Sequence, residues 1–237
     1  MAKYVIPILI VIIVVLLTLI VYFYKKRYKD GIKDFLSLLF QSGFDNKVKG
    51  FREQNKYIKQ NGVLFLGDSI TQDYNVYEYF SDLTVYNRGI GGDTTIGLMK
   101  RLDESVFQLN PKTIILLIGT NDFAMLKTTP VEIKNRIEKI IIEIKNKLDN
   151  VNIHLLSIYP VNENIDPLSV KPRNNKDIQV LNNLLETIPN INYINIFDIL
   201  KDDESNLARK YTYDGLHLNE QGYIVVTKVL KEILKEA

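Results

Sequence analysis

Short runs rich in Val, Ile and Leu alternate along this chain with helical stretches, and the alternation limits the folds open to it. Each run is followed by a polar or Gly-containing turn. Strands that are nearly continuous in aliphatic residues are typical of parallel sheets covered on both faces. We therefore predict one α/β sandwich of about 180 residues. Its strands are expected at Val63–Leu66, Thr84–Tyr86, Thr113–Ile118, Asn152–Ile158 and Asn192–Ile196.

One helix of this sandwich has a particularly definite start. Thr129 and Glu132 have the spacing of a capping box, and Pro130 occupies the first helical position. Isoleucines then recur at intervals of three and four residues as far as Leu148. A further helix is predicted from Asn219 to the end of the chain, with its apolar residues on one face.

Four polar or glycine-rich segments lie at the ends of these elements. Three of them follow predicted strands, and the fourth precedes the last helix. They are Gly67-Asp68-Ser69-Ile70, Asn87 to Thr94, Gly119-Thr120-Asn121-Asp122 and Asp214-Gly215-Leu216-His217. Because sites in open parallel sheets form beyond the carboxyl ends of the strands, we expect the four segments to meet at one rim.

Together these segments hold the groups that acyl transfer needs. They supply a hydroxyl nucleophile, an imidazole base, a carboxylate to orient the base, and N–H donors for an oxyanion. The spacing of Asp214 and His217 lets both side chains belong to one loop, with the carboxylate at Nδ1 and with Nε2 facing a serine. The chain has two histidines, and His154 falls within a predicted buried strand, where we assign it a structural role.

The four segments resemble the four blocks of the SGNH, or GDSL-type, hydrolase superfamily. The similarity runs from about Gly62 to Ala237, and the segment from Asn87 to Thr95 resembles the platelet-activating-factor acetylhydrolase-like branch. The one departure is Ile70, where the family motif has leucine. The resemblance implies a flavodoxin-like three-layer α/β/α sandwich with a central parallel sheet and esterase activity.

The same resemblance implies a role for each matching residue. Ser69 would be the nucleophile, His217 the base, and Asp214 the group that orients the base. The backbone N–H groups of Ser69 and Gly92 and the side-chain amide of Asn121 would form the oxyanion hole. No metal and no cofactor are expected.

Composition argues against several other functions. The chain has 30 Lys and Arg against 28 Asp and Glu, a formal charge of +2, so no basic surface for nucleic acid is indicated. It has no cysteine, which excludes disulfides, thiolate catalysis and zinc-thiolate sites. A dinucleotide-binding fingerprint would need glycine where Thr94 stands, and no phosphate-binding loop follows.

The segment from Tyr4 to Tyr24 is uncharged and almost wholly apolar. Its length matches the roughly 30 Å hydrocarbon core of a bilayer, and we predict a retained N-terminal transmembrane helix. A buried core helix and a cleaved signal peptide are the alternatives. A signal peptide has a shorter apolar run and ends in small residues, whereas this run ends in Tyr22-Phe23-Tyr24.

This interpretation gives a domain plan and a location. Residues 1–29 would be the anchor and its basic flank, 30–61 a juxtamembrane helical connector, and 62–237 the hydrolase domain. The protein would be a single-pass protein of the cell membrane. Lys25, Lys26, Arg27 and Lys29 follow the apolar run, which by the positive-inside rule favours a cytoplasmic domain. Single-span anchors often break that rule, so the side of the membrane stays open.

Two kinds of substrate fit this plan. A membrane anchor suits a lysophospholipid or another lipid ester, and an outward-facing domain suits deacetylation of a cell-surface glycan. A non-catalytic, membrane-tethered binding module on the same fold is a further alternative. All four segments are present, which favours the enzyme.

Overall fold

The computed structural model describes residues 2–235. The chain divides into two compact units, residues 1–45 and 46–237. The first helix, α1, spans Ala2–Gln54. The other α-helices of the described residues are α2 Ser69–Gln72, α3 Val76–Tyr79, α4 Thr95–Lys100, α5 Pro130–Lys147, α6 Pro167–Val170, α7 Asn175–Glu186, α8 Phe197–Leu200 and α9 Glu220–Lys235. Two π-helices, Asp103–Phe107 and Asp122–Leu126, and a 3-10 helix, Arg209–Tyr211, complete the set.

Helix α1 corrects the interpretation of the N-terminal segment. Among the described residues, no helix combines the length and the apolar character that crossing a membrane requires. α1 does not end with the apolar run, because it continues through the charged residues Lys25, Lys26, Arg27 and Asp30. This finding overturns the predicted transmembrane helix and the single-pass location, and it leaves the predicted membrane partner without support.

The second unit contains a parallel sheet of five strands among the described residues. The strands are β1 Val63–Gly67, β2 Val85–Gly89, β3 Thr113–Leu117, β4 Asn152–Leu156 and β5 Asn192–Ile194. Their spatial order is β2-β1-β3-β4-β5, with every neighbouring pair parallel. This is the flavodoxin-like order. The three-layer α/β part of the predicted fold therefore agrees with the structure.

The core lies on both faces of this sheet. Every residue of β3 is buried, and so are the last four of β1. Helices α4 and α7 both pack against α5, whose five buried isoleucines form its inner face. Phe65 of β1 instead contacts the rings of Tyr74 and Phe80, and Tyr74 stacks on Tyr223 of α9. Because successive residues of a strand point to opposite faces, this packing covers both faces of the sheet, and a site is expected at the carboxyl ends of the strands.

Candidate active site

Ser69 begins helix α2 directly beyond the end of β1. Asp68 caps this helix, since its Oδ1 accepts a hydrogen bond of 3.0 Å from the backbone N–H of Ile70. A capped helix start fixes the backbone of its first residue and leaves that residue's N–H without a partner inside the helix. Ser69 is half-buried, so its hydroxyl is held in a defined place yet remains accessible.

The predicted base and its carboxylate lie in the loop before α9. The Oγ of Ser69 lies 3.0 Å from Nε2 of His217, although 148 positions separate the two residues. On the other side of the ring, Nδ1 of His217 lies 2.6 Å from Oδ2 of Asp214. With its proton on Nδ1, the imidazole presents an acceptor to the serine. The structure thus brings Ser69, His217 and Asp214 into one hydrogen-bonded line.

Asp214 is also bonded to the backbone of its own loop. Its Oδ1 accepts hydrogen bonds from the N–H groups of Leu216, at 2.9 Å, and His217, at 2.8 Å. Partial burial raises the pKa of Asp214, but the hydrogen bonds from the His217 ring and from these two N–H groups outweigh it, so the pKa lies below its usual range. These contacts therefore favour the ionised form of the carboxylate.

Glycine is required within this loop. Gly215 has φ +81, and a Cβ at this position would lie 2.2 Å from the carbonyl oxygen of Asn162. The N–H of Asn162 in turn donates to the Gly215 carbonyl at 2.7 Å. This close backbone contact joins the loop of Asp214 and His217 to the chain that follows β4.

Two backbone N–H groups are candidate oxyanion donors, as predicted from the family blocks. Within residues 2–235, neither the Ser69 N–H nor the Gly92 N–H donates to a protein acceptor. Gly92 has φ +74, in a turn closed by a hydrogen bond from Asp93 N to the Ile90 carbonyl. The N–H of Ile90 bonds to the Gly67 carbonyl at 3.1 Å, which sets this turn beside the start of α2.

The amide of Asn121 lies next to the same turn. Asn121 follows β3, is buried, and donates from Nδ2 to the carbonyl oxygen of Asp93 at 3.0 Å. A primary amide carries two N–H hydrogens, so the second remains for a ligand. The three predicted donors therefore belong to segments that contact one another at the carboxyl ends of β1, β2 and β3.

Arg101, which directly follows α4, connects these segments through buried hydrogen bonds. Its side chain is 1% exposed and pairs with Asp93 through Nε at 2.8 Å. The other guanidinium nitrogens donate to the carbonyls of Gly67 and Arg88, each at 2.9 Å, and to Ser105. One buried cation thus fixes the end of β1, the end of β2 and the Gly92 turn.

A second buried arginine contacts Asn121 directly. Arg173, which follows α6, donates from Nη2 to Oδ1 of Asn121 at 2.7 Å and from Nε to the Thr120 carbonyl at 3.0 Å. Sequence reasoning missed both Arg101 and Arg173. No signal in the sequence distinguishes them from the other Lys and Arg residues of the chain, because their contacts depend on residues far from them in the sequence.

Four other polar residues lie outside the hydrogen-bonded line. His154 is buried in β4, as predicted, and Tyr213 is exposed with its hydroxyl bonded to Glu220. Asp68 and Asp93 both hold loops through backbone hydrogen bonds. In the part of the chain that the structure describes, no three His, Asp or Glu side chains are grouped so as to hold a metal ion.

Comparison with known proteins agrees with the four segments. Residues 65–225 match the model of the GDSL-like Lipase/Acylhydrolase family. Over 183 residues, the chain is 31% identical to subunit alpha2 of platelet-activating factor acetylhydrolase IB from Rattus norvegicus, covering 75% of this chain and 78% of that protein.

Solved structures are similar as well. A structure named as a platelet activating factor from Streptococcus pneumonia superposes with a TM-score of 0.79 and 33% identity, over 85% of this chain and 97% of that one. A GDSL-like lipase from Bacteroides thetaiotaomicron VPI-5482 superposes with a TM-score of 0.70 over 80% of this chain and 97% of that one, and at 24% identity it supports the fold alone. The chain therefore belongs to the GDSL-like lipase/acylhydrolase family and is an esterase of that type.

Proposed function

We propose that this chain hydrolyses carboxylic esters with a small acyl group through an acyl-enzyme on Ser69, with His217 as base and Asp214 as its orienting carboxylate. The observation that carries the proposal is the line of contacts from Ser69 Oγ to His217 Nε2, at 3.0 Å, and from His217 Nδ1 to Asp214, at 2.6 Å. A nucleophile, a base and an orienting group in hydrogen-bond contact are the usual requirements for covalent acyl transfer.

The first half of the reaction forms the acyl-enzyme. Ser69 Oγ attacks the ester carbonyl carbon while its proton passes to Nε2 of His217. The negative charge that develops on the carbonyl oxygen is met by the N–H groups of Ser69 and Gly92 and by Nδ2 of Asn121. The tetrahedral intermediate then collapses, and the leaving alkoxide takes the proton from Nε2 and departs as an alcohol.

The second half repeats these steps with water. His217 removes a proton from a water molecule as the water oxygen attacks the acyl carbon. The same three donors stabilise the negative charge that develops on the carbonyl oxygen. Collapse breaks the bond to Ser69 Oγ, which recovers its proton from Nε2. Asp214 stays ionised throughout and stabilises the imidazolium that forms in each half.

The small acyl group is proposed from the relatives. The rat protein, which is 31% identical, is named an acetylhydrolase. A series of p-nitrophenyl esters from acetate to longer chains tests this choice, and we expect kcat/KM to be highest for acetate. A maximum at long chains would instead indicate a lipase-type preference on the same machinery.

The nucleophile is tested by Ser69→Ala. We expect its kcat for p-nitrophenyl acetate to fall by several orders of magnitude, on the order of 10⁶ where a comparable triad has been dissected. A fluorophosphonate probe should label the unaltered protein and leave Ser69→Ala unlabelled. Ser81→Ala, at an exposed serine, is the matched control and should keep full activity and labelling. Retention of most activity by Ser69→Ala would reject Ser69 as the nucleophile.

A further inference from the structure

The amide of Asn121 is held by two hydrogen bonds of opposite sense. Nδ2 donates to the Asp93 carbonyl at 3.0 Å, and Oδ1 accepts from Arg173 Nη2 at 2.7 Å. If the amide were rotated by 180°, Nδ2 would face the guanidinium and Oδ1 would face a carbonyl oxygen. Both hydrogen bonds would then be lost. The two neighbours therefore select one orientation, in which an N–H is available to a substrate oxygen.

Arg173 is itself fixed on several sides. Besides the bond to Asn121, its Nε donates to the Thr120 carbonyl, and its Nη1 donates to the carbonyls of Ser169 and Val170, both at 3.2 Å. The residue is only 7% exposed. None of these acceptor oxygens belongs to a carboxylate, so the guanidinium makes these hydrogen bonds to neutral acceptors. Because a hydrogen bond from a charged donor is stronger than one from a neutral donor, Arg173 holds the Asn121 amide firmly in place.

The charge also affects what the amide can do. A cation that bonds to an amide oxygen draws electron density towards it and makes the N–H hydrogens better donors, and chains of hydrogen bonds strengthen one another in this way. The same guanidinium contact therefore orients the Asn121 amide and polarises it. Both effects matter most when negative charge develops opposite Nδ2, in the transition state.

We propose that Arg173 is a positioning residue for ester hydrolysis, which acts by holding and polarising the Asn121 amide so that Nδ2 faces the oxyanion. The inference rests on the proposed function, since it requires Asn121 to be an oxyanion donor. Arg173 contacts no reacting atom in this scheme. Its effect on kcat should therefore depend on the presence of Asn121.

The test is a double-mutant cycle on the full chain with p-nitrophenyl acetate. Asn121→Ala should lower kcat by about 10²–10³, the usual effect of one oxyanion donor. Arg173→Met should lower kcat by about tenfold or more, up to the effect of Asn121→Ala, with little change in KM. The double variant should be no slower than Asn121→Ala alone, because Arg173 has nothing left to position.

Two further variants make the comparison specific. The kcat of Arg173→Lys should lie between those of Arg173→Met and the unaltered protein, since one ammonium group replaces only part of a planar, forked guanidinium. Arg209→Met is the matched control, at an exposed arginine that does not contact Asn121, and should keep full activity. Labelling to completion by a fluorophosphonate counts folded sites, so each kcat is expressed per folded molecule. If Arg173→Met does not fold, Arg173→Lys replaces it in the cycle.

The outcomes separate this inference from the proposed function. An active Ser69→Ala would overturn both. If Ser69→Ala is inactive and Asn121→Ala is slow, but Arg173→Met turns over at the natural rate, only the Arg173 inference fails. It also fails if the losses multiply in the double variant, because a general structural effect of Arg173 would be independent of Asn121.

Discussion

Asp68 places a buried carboxyl group one residue before the proposed nucleophile. Its side chain is fully buried, and within residues 2–235 its Oδ2 has no hydrogen-bond partner. Burial raises the pKa of Asp68 to about 7, although the hydrogen bond from Ile70 acts against the shift. Asp93 nearby raises the pKa further, whereas His217 and Arg173 lower it. The carboxyl group therefore titrates close to neutrality in the folded protein.

This shift predicts a pH dependence of stability. An unfolded aspartate ionises near pH ~3.9, so between about pH 4 and pH 7 the folded state binds the extra proton. The free energy of unfolding should then fall as the pH rises through this window, by a few kcal/mol in order of magnitude. Asp68→Asn, which keeps the helix cap and carries no charge, should lack this fall. Urea unfolding at pH 4.5, 6 and 8 measures it.

Asp73→Asn is the matched control, because Asp73 is exposed at the end of α2. It should follow the stability curve of the unaltered protein. Parallel curves for Asp68→Asn and the unaltered protein would contradict a titration of Asp68 near neutrality.

At the scale of single residues, the sequence showed which chemical groups are present but not what supports them. Ser69, Asn121, Asp214 and His217 stand in compact segments, so their types and spacing could be read directly. The role of Arg173 could not, because its contact with Asn121 joins positions 52 apart. A buried arginine has no local pattern, and only the folded backbone brings carbonyl groups around it.

At the scale of elements, the loop from Asp214 to His217 depends on one glycine. Gly215→Ala would place a Cβ 2.2 Å from a backbone oxygen at a φ of +81. We expect the loop to shift and to move His217 away from Ser69, lowering kcat by roughly 10²-fold, the scale of a 1 Å misplacement. Steady-state kinetics on an aryl ester measure the loss.

Gly50→Ala is the control for this substitution. Gly50 lies in α1, where an added methyl group would stand in open space, and alanine favours a helix more than glycine does. It should leave kcat unchanged. Full activity in Gly215→Ala would show that the loop can adapt and that its exact backbone path does not set the position of His217.

The buried strands β1, β3 and β4 were predicted to within two residues, because continuous aliphatic runs are a strong signal. Strand β2 was predicted at Thr84–Tyr86 but spans Val85–Gly89. It continues through Asn87, whose side chain bonds to backbone carbonyls of residues 71 and 74, and Arg88, which lies over the ring of Phe51. In the sequence, these polar residues resemble a loop, because the tertiary partners that stabilise them in a strand lie elsewhere in the chain.

At the scale of the whole molecule, the burial of His154 makes the stability of the fold depend on pH. It is buried in the central part of the sheet, and within the described residues neither ring nitrogen has a hydrogen-bond partner. Burial lowers the pKa of His154. Because unfolded histidine takes up a proton near pH ~6.5, the unfolded state binds more protons below that pH. The contribution of His154 to stability should therefore be lost as the pH falls below about 6.5.

His154→Leu tests this prediction. Leucine removes two unsatisfied polar atoms from the core, so the variant should be at least as stable as the unaltered protein at pH 8 and should gain on it at pH 5.5. Denaturant unfolding at the two pH values gives the difference. A gap that stays constant between pH 8 and pH 5.5 would show that His154 does not titrate in this range. The pH effects of His154 and Asp68 on stability have opposite signs and partly cancel in the unaltered protein. Each variant removes one of them, so the pH dependence of its stability shows the other.

The fold class as a whole was partly predictable. The alternation of strands and helices indicated the parallel α/β sheet. Each strand and each helix has to bury apolar residues, so the alternation is visible as apolar runs along the sequence. The N-terminal segment was wrongly predicted to span a membrane. Among the described residues, no helix has the length and the apolar character that this requires, and α1 continues beyond the apolar run to Gln54.

The 148 positions between Ser69 and His217 also bear on the order in which a ribosome makes this protein. Ser69 emerges first, the five strands of the described sheet are complete by Ile194, and His217 emerges more than twenty residues later. A nascent or clipped molecule that ends before His217 has Ser69 without its proposed base. Under the proposed mechanism, hydrolysis of an aryl ester therefore requires that translation has passed His217, and it can serve as a direct readout of that step.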